Sequence, residues 1–145
     1  MNTPRRLDHV AVVVRDTELA LRYFRDRLGL AVASSEELES PRVRLTYLDA
    51  GNAYIQLLEP LEPGEALARW LDENGEGLHH ICFGVDDVLA AARELSVDGA
   101  APVAGTGRGR VSAFVPGAPE HGVLVECTQF RREEDVDATP GWLGD

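Results

Sequence analysis

Cysteine is scarce in this sequence: Cys82 and Cys127 are the only two in 145 residues, too few for a disulfide framework in a domain of this size. Apolar runs are strand-sized at most, which argues against a membrane-spanning helix. Positive charge is outnumbered. Lys and Arg total 14 against 25 Asp and Glu, a formal net charge of −11, so nucleic acid and anionic membranes are poor partners and any anionic ligand needs a local positive site. The opening MNTPRRLDHV has no apolar stretch of the secretory kind, so the expected location is the cytoplasm. CxxC, GxxxxGK[ST], GxSxG and HExxH are all missing, which removes the usual sequence support for several common chemistries. Whatever chemistry the chain performs must come from scattered residues.

What is present suits a globular protein, with 44% hydrophobic and 27% charged residues in a length that fits one domain. Leu7–Val14 alternates His9, Ala11 and Val13 with Val10, Val12 and Val14, the period of a mostly buried strand. Asp16 then opens a helix with an apolar stripe of Leu19, Leu21, Tyr23, Phe24 and Leu28, stopped by Gly29. Strands follow at about Ala31–Leu38, Arg42–Asp49 and Asn52–Glu59, the last two joined by the Ala50-Gly51-Asn52 turn. Pro60 and Pro63 break the pattern before a short helix near Glu65–Asn74.

At Leu78 the pattern begins again. Leu78-His79-His80-Ile81-Cys82-Phe83-Gly84-Val85 lies on Leu7-Asp8-His9-Val10-Ala11-Val12-Val13-Val14, and a second Asp-led helix, Asp86–Leu95, follows with Val88, Leu89, Ala92 and Leu95 as its stripe. Strands at about Ala101–Ala104, Arg110–Val115 and Gly122–Thr128 complete a second βαβββ order. The expected organisation is a single domain over residues 1–130, built of two modules at about 7–60 and 78–130, with a polar tail over 131–145.

The repeat brings polar residues to matching places. His9 corresponds to His80, 71 residues on, and Gln56 in YIQLL corresponds to Glu126 in LVEC, 70 residues on. Two imidazoles, an amide and a carboxylate each interrupt an apolar strand, which is costly in a core unless something satisfies them. A bound divalent metal would satisfy all four. Taken singly, each histidine also suits a hydrogen-bonded core residue, and Gln56 a partner of backbone groups. His79 is expected on the opposite strand face, His121 in a loop, Trp70 in the core or an interface, Cys82 as a small buried hydrophobe, and Gly84 and Gly122 in backbone packing.

LDHVAVVV, YIQLLEP, WLDENGEGLHHICFGVDD and GVLVECTQF together resemble the vicinal oxygen chelate (glyoxalase/bleomycin-resistance) superfamily, most closely its methylmalonyl-CoA epimerase branch, over nearly residues 7–130. The resemblance implies an α+β fold of paired βαβββ modules forming a curved sheet around a metal site. It implies His9, Gln56, His80 and Glu126 as ligands of one divalent ion (Co, Mn, Ni, Fe or Zn), with Glu126 also serving as a catalytic base. The implied activity is epimerisation of a 2-substituted malonyl thioester, methylmalonyl-CoA or an analogue, in a homodimer. Glyoxalase-like chemistry on another small carbonyl compound, a biosynthetic tailoring reaction and metal-free small-molecule binding are the other activities of such folds.

Two departures from the branch stand out. Many bacterial members carry a glutamate base on the third strand, where this chain has Leu45, so the second proton carrier is unassigned among Glu37, Glu39 and Tyr47. The hairpin before the last strand reads Val115-Pro116-Gly117-Ala118-Pro119-Glu120 in place of a His-Pro-Lys-like segment. Coenzyme A would then lean on Arg108 and Arg110, or on Arg42 and Arg44.

Overall fold

The computed structural model describes residues 2–132, so most of the expected tail, residues 133–145, lies outside the described residues. The βαβββ order is present twice. The first copy comprises β1 (Arg6–Val13), α1 (Thr17–Leu21), β2 (Ala31–Glu39), β3 (Arg42–Asp49) and β4 (Tyr54–Pro60). Helix α2 (Ala66–Asn74) leads to the second copy, which comprises β5 (Gly77–Val85), α3 (Val88–Leu95), β6 (Ala104–Gly107), β7 (Arg110–Phe114) and β8 (Val125–Gln129). Among the described residues, no helix is long and apolar enough to cross a membrane.

The chain divides into two compact units. One spans residues 10–79, with strand order β2-β3-β4-β1, and β3 pairs antiparallel with both β2 and β4. Its β1–β4 ladder includes Val14 N–H donating to the Leu58 carbonyl at 2.8 Å. Alternation along β1 and β3 sends Ala11, Val13, Val43, Leu45 and Tyr47 into one apolar cluster with Leu58 and Leu71, while Val14, Leu21, Leu48 and Leu57 form another. Trp70 packs against the first cluster and meets His79 edge-on, their ring centroids 5.0 Å apart.

Residues 2–9 and 80–132 form the other unit, with strand order β1-β5-β8-β7-β6. Here β5 and β8 run parallel, and β8–β7 and β7–β6 are antiparallel. Its apolar cluster is Val85, Val88, Ala91, Ala92, Ala113 and Cys127. Gly84 lies under Arg6 and Phe130, where an added Cβ would come within 3.4 Å of both.

Several local expectations are corrected. The first helix has only five α-helical residues before Arg22–Arg27 winds as a π-helix, with Leu28 N–H bonding the Tyr23 carbonyl five residues back. Leu19 and Leu21, two residues apart, stand about 200° apart around a 3.6-residue helix and cannot share one face, so Leu21 is buried while Leu19, Tyr23 and Leu28 are more than half exposed. The cap of α3 is Asp87 rather than Asp86, its carboxylate accepting from Ala90 N–H at 3.1 Å, and the buried face is Val88, Ala91 and Ala92, with Leu89 and Leu95 outside. Strand β6 begins at Ala104, where the expected strand ended, because Arg108 and Gly109 form the tight turn that pairs Gly107 with Arg110. Both turn residues have positive φ (55° and 70°), the conformation that matches the twist of a two-residue hairpin.

Candidate metal centre

Strand β1 delivers His9, β5 delivers His80 and β8 delivers Glu126, all in the same unit. Their ligating atoms converge. His9 Nε2 lies 3.3 Å from His80 Nε2 and 3.3 Å from Glu126 Oε1, and His80 Nε2 lies 3.1 Å from the same carboxylate oxygen. Donors bound about 2.1 Å from one ion at right angles stand ~3.0 Å apart, so three edges of this length fit one face of a coordination polyhedron. Both imidazoles are 3% exposed in their side chains and the carboxylate 12%. The donor set, two imidazoles and one carboxylate oxygen, suits a divalent transition ion.

Local pairing explains the convergence. The parallel β5–β8 register sets Glu126 beside Cys82, two residues beyond His80, and the β7–β8 register sets Glu126 opposite Phe114. The Phe114 ring meets the His80 imidazole edge-on with centroids 4.9 Å apart, so an apolar wall flanks the donors. Burial pushes the Glu126 carboxyl upward, but its bonds to His80 and His9 and their charge more than reverse this and hold it well below the ordinary carboxylate range. Burial also disfavours charge on His9, yet its bonds to Asp8 and Glu126 carry the ring above its ordinary value. Cys82 is fully buried, and desolvation, reinforced by the Glu126 and Asp8 charges, keeps its thiol protonated.

Sequence reasoning missed the groups behind His9. Asp8 is 3% exposed, and its Oδ2 lies 2.7 Å from His9 Nδ1. Arg108 Nη2 donates to the same oxygen, and Arg110 Nη1 donates to Oδ1 at 3.1 Å. Burial would raise the Asp8 carboxyl, but the His9 bond and the Arg108, His9 and Arg110 charges bring it down to about 2. Arg108 and Arg110 are therefore buried on Asp8, at 1% and 7% exposure, and do not stand ready for a coenzyme as the sequence suggested. The available signal was the Asp directly preceding His9, together with two arginines bracketing a glycine.

Gln56, the fourth expected ligand, belongs to the 10–79 unit, on β4 opposite Tyr47 of β3. It is 4% exposed. Its Nε2 donates to the Tyr47 hydroxyl at 2.6 Å, and its Oε1 is buried with no hydrogen-bond partner among the described residues. A buried carbonyl oxygen left in that state costs about 1–3 kcal/mol, so the amide presents an acceptor that a cation would satisfy. Leu45, two residues before Tyr47, is 6% exposed within the apolar cluster. Of the other groups considered for proton transfer, Glu37 is exposed and 3.3 Å from Arg44, and Glu39 is exposed at the end of β2. Glu59 of the QLLEP stretch holds the start of α1, accepting from Thr17 N–H at 2.9 Å and Oγ1–H at 2.6 Å.

Comparison with known proteins agrees with this architecture. Residues 8–115 match the model of the glyoxalase/bleomycin resistance protein/dioxygenase superfamily. The chain is 36% identical over 131 residues to an ethylmalonyl-CoA/methylmalonyl-CoA epimerase of Cereibacter sphaeroides, covering 86% of this chain and 97% of that protein. Among solved structures, a Streptomyces coelicolor methylmalonyl-CoA epimerase in complex with 2-nitronate-propionyl-CoA superposes with TM-score 0.76 and 33% identity, covering 88% of this chain and 95% of that one. A hypothetical protein from Bacillus halodurans gives TM-score 0.78 and 29% identity, covering 90% and 98%. With its two βαβββ copies, the chain belongs to the glyoxalase/bleomycin resistance protein/dioxygenase superfamily and has the vicinal oxygen chelate fold.

Proposed function

We propose that this protein is a divalent-metal-dependent epimerase of a 2-substituted malonyl thioester, methylmalonyl-CoA or a close analogue. The observation that carries the reading is the convergence of His9 Nε2, His80 Nε2 and Glu126 Oε1 within 3.3 Å of one another. Support for the substrate class comes from relatives named as epimerases of ethylmalonyl-CoA and methylmalonyl-CoA.

In this reading His9, Gln56, His80 and Glu126 are the ligands. An ion held there supplies Lewis-acid polarisation of the thioester carbonyl, which lowers the cost of removing the α-proton. Two neutral imidazoles and a neutral amide leave Glu126 as the one anionic ligand, so the site keeps net positive charge for the substrate carboxylate. Glu126 is also the base that takes the α-proton, and inversion then requires a proton returned on the opposite face. Leu45 cannot deliver it. For the same reason the second reading, a relative acting on another small carbonyl compound such as a glutathione hemithioacetal, is favoured by Leu45, which lies in an apolar cluster, and by the lack of a lysine in the 115–120 hairpin.

The same reading takes residues 1–130 as one domain of a cytoplasmic homodimer. Elemental analysis of the purified protein beside its Gln56→Ala/Glu126→Ala double variant tests the ligand set. Metal near one equivalent per chain, lost in the variant, is the expected result. Equal metal in both overturns the assignment.

A further inference from the structure

We infer that the β6–β7 hairpin is a positioning device for His9, acting through Asp8: Arg108 and Arg110 hold the carboxylate, and the carboxylate holds the imidazole with Nε2 turned toward His80 and Glu126. The inference rests on the reading of His9 as a ligand. Hairpin tips are ordinarily exposed, and their residues with positive φ are usually Gly, Asn or Asp. This tip instead places an arginine in the left-handed region, at φ 55°, with its side chain 1% exposed. That arrangement is unfavourable locally and needs a return from what the guanidinium reaches.

What it reaches is one carboxylate with both oxygens occupied. Asp8 Oδ2 accepts from Arg108 Nη2 and from His9 Nδ1, and Oδ1 accepts from Arg110 Nη1 at 3.1 Å. Donors on both oxygens oppose rotation of the Asp8 carboxylate. Fixed in this way, it orients the ring and selects the neutral tautomer protonated on Nδ1. The consequence falls on the far side of the ring. With the proton on Nδ1, Nε2 carries a lone pair. With the proton on Nε2, the same atom would point a hydrogen at His80 and Glu126 and could not ligate a cation.

Asp8, Arg108 and Arg110 are therefore positioning residues, and their effect is separable from a purely structural ion-pair cluster. The test compares the full-length protein with Asp8→Asn and Arg108→Met by ¹⁵N-resolved imidazole spectra of the metal-free forms, taken above the imidazole titration range, and by Co(II) titration. The expected spectrum of the unmodified protein has His9 protonated on Nδ1. Asp8→Asn is expected to show both tautomers and to bind Co(II) about 10–100-fold more weakly. Arg108→Met falls between, because Arg110 still holds Oδ1.

Folded variants that melt earlier but keep the tautomer and the Co(II) affinity would overturn the inference, as would an unmodified protein protonated on Nε2 of His9. Should Asp8→Asn fail to fold, Arg108→Met decides by the same two readouts. An unmodified protein that takes up no Co(II) would sink the metal-site reading instead, and the tautomer spectra would still decide the role of the hairpin.

Discussion

Gln56 and Tyr47 face each other across the β3–β4 ladder, and the 2.6 Å bond from the Gln56 amide nitrogen to the Tyr47 hydroxyl leaves the amide oxygen without a partner among the described residues. The phenol thereby fixes which end of the amide is available. Tyr47→Phe removes that anchor while keeping the ring in the apolar cluster. It should lower folded stability by about 1 kcal/mol and weaken Co(II) binding severalfold, as read by thermal melting and metal titration. A phenylalanine variant that binds Co(II) as tightly as the parent would show that the orientation of the amide is irrelevant to the metal.

Removing the anionic ligand should have a larger effect. Glu126→Ala takes away the oxygen that both histidines face at 3.1–3.3 Å, and metal retention and epimerase activity should disappear together. Measured metal content and activity that part company, with activity intact, would place the chemistry elsewhere.

Stability of the metal-free and metal-loaded proteins should respond to pH in opposite directions. His9 titrates above its ordinary 6.5 in the folded protein, so protonated His9 contributes stability that is complete below about pH 6.5 and is lost as pH rises through the raised value. Metal-free protein should therefore melt at lower temperature as pH climbs from 6 toward 9. Ligation requires unprotonated imidazoles, so Co(II) affinity should rise over the same interval. At the acid end, Asp8 titrates at about 2 rather than 3.8, so its contribution is present above 3.8 and fades as pH falls toward 2. Melting curves across pH with and without Co(II) check both signs.

The two copies of the fold supply a matched pair of controls away from the metal ligands. Asp16 accepts from Leu19 N–H at 3.2 Å and Asp87 from Ala90 N–H at 3.1 Å, each as the cap of its helix. Asp16→Ala and Asp87→Ala should each cost about 1 kcal/mol and lower the melting temperature by ~3 °C. Co(II) affinity should stay within twofold of the parent, and a larger change would mean the caps influence the ligands.

Period-2 alternation made β1 legible, and the recurrence of its pattern from Leu78 made β5 legible in turn. The duplicated LDHV and LHHI stretches made His9 and His80 legible for a related reason: a polar residue breaks an apolar strand at the same place twice. The π-helical turn after α1 was not legible, because Arg22–Arg27 carries no proline or glycine to mark it, and the expected stripe mixed two sides of the helix, Leu19 and Tyr23 on one and Leu21 on the other. Nor was the fate of Arg108. A basic residue between two glycines reads as an exposed turn, and only the strand order β1-β5-β8-β7-β6 reveals that the hairpin tip can reach Asp8, 100 residues earlier in the chain. Leu45 was legible as aliphatic from the outset, and the structure adds that its neighbours Val43, Tyr47 and Leu58 leave it in an apolar setting.

An epimerase of this kind must labilise the proton between a carboxylate and a thioester, and exchange of the α-proton of methylmalonyl-CoA in deuterated water, followed by proton NMR, measures that step directly. With one equivalent of Co(II) per chain, the α-proton signal should be lost at a rate far above that of buffer with free Co(II), with no acceleration when Glu126→Ala is substituted. Exchange at the buffer rate by fully loaded protein would contradict the proposed function.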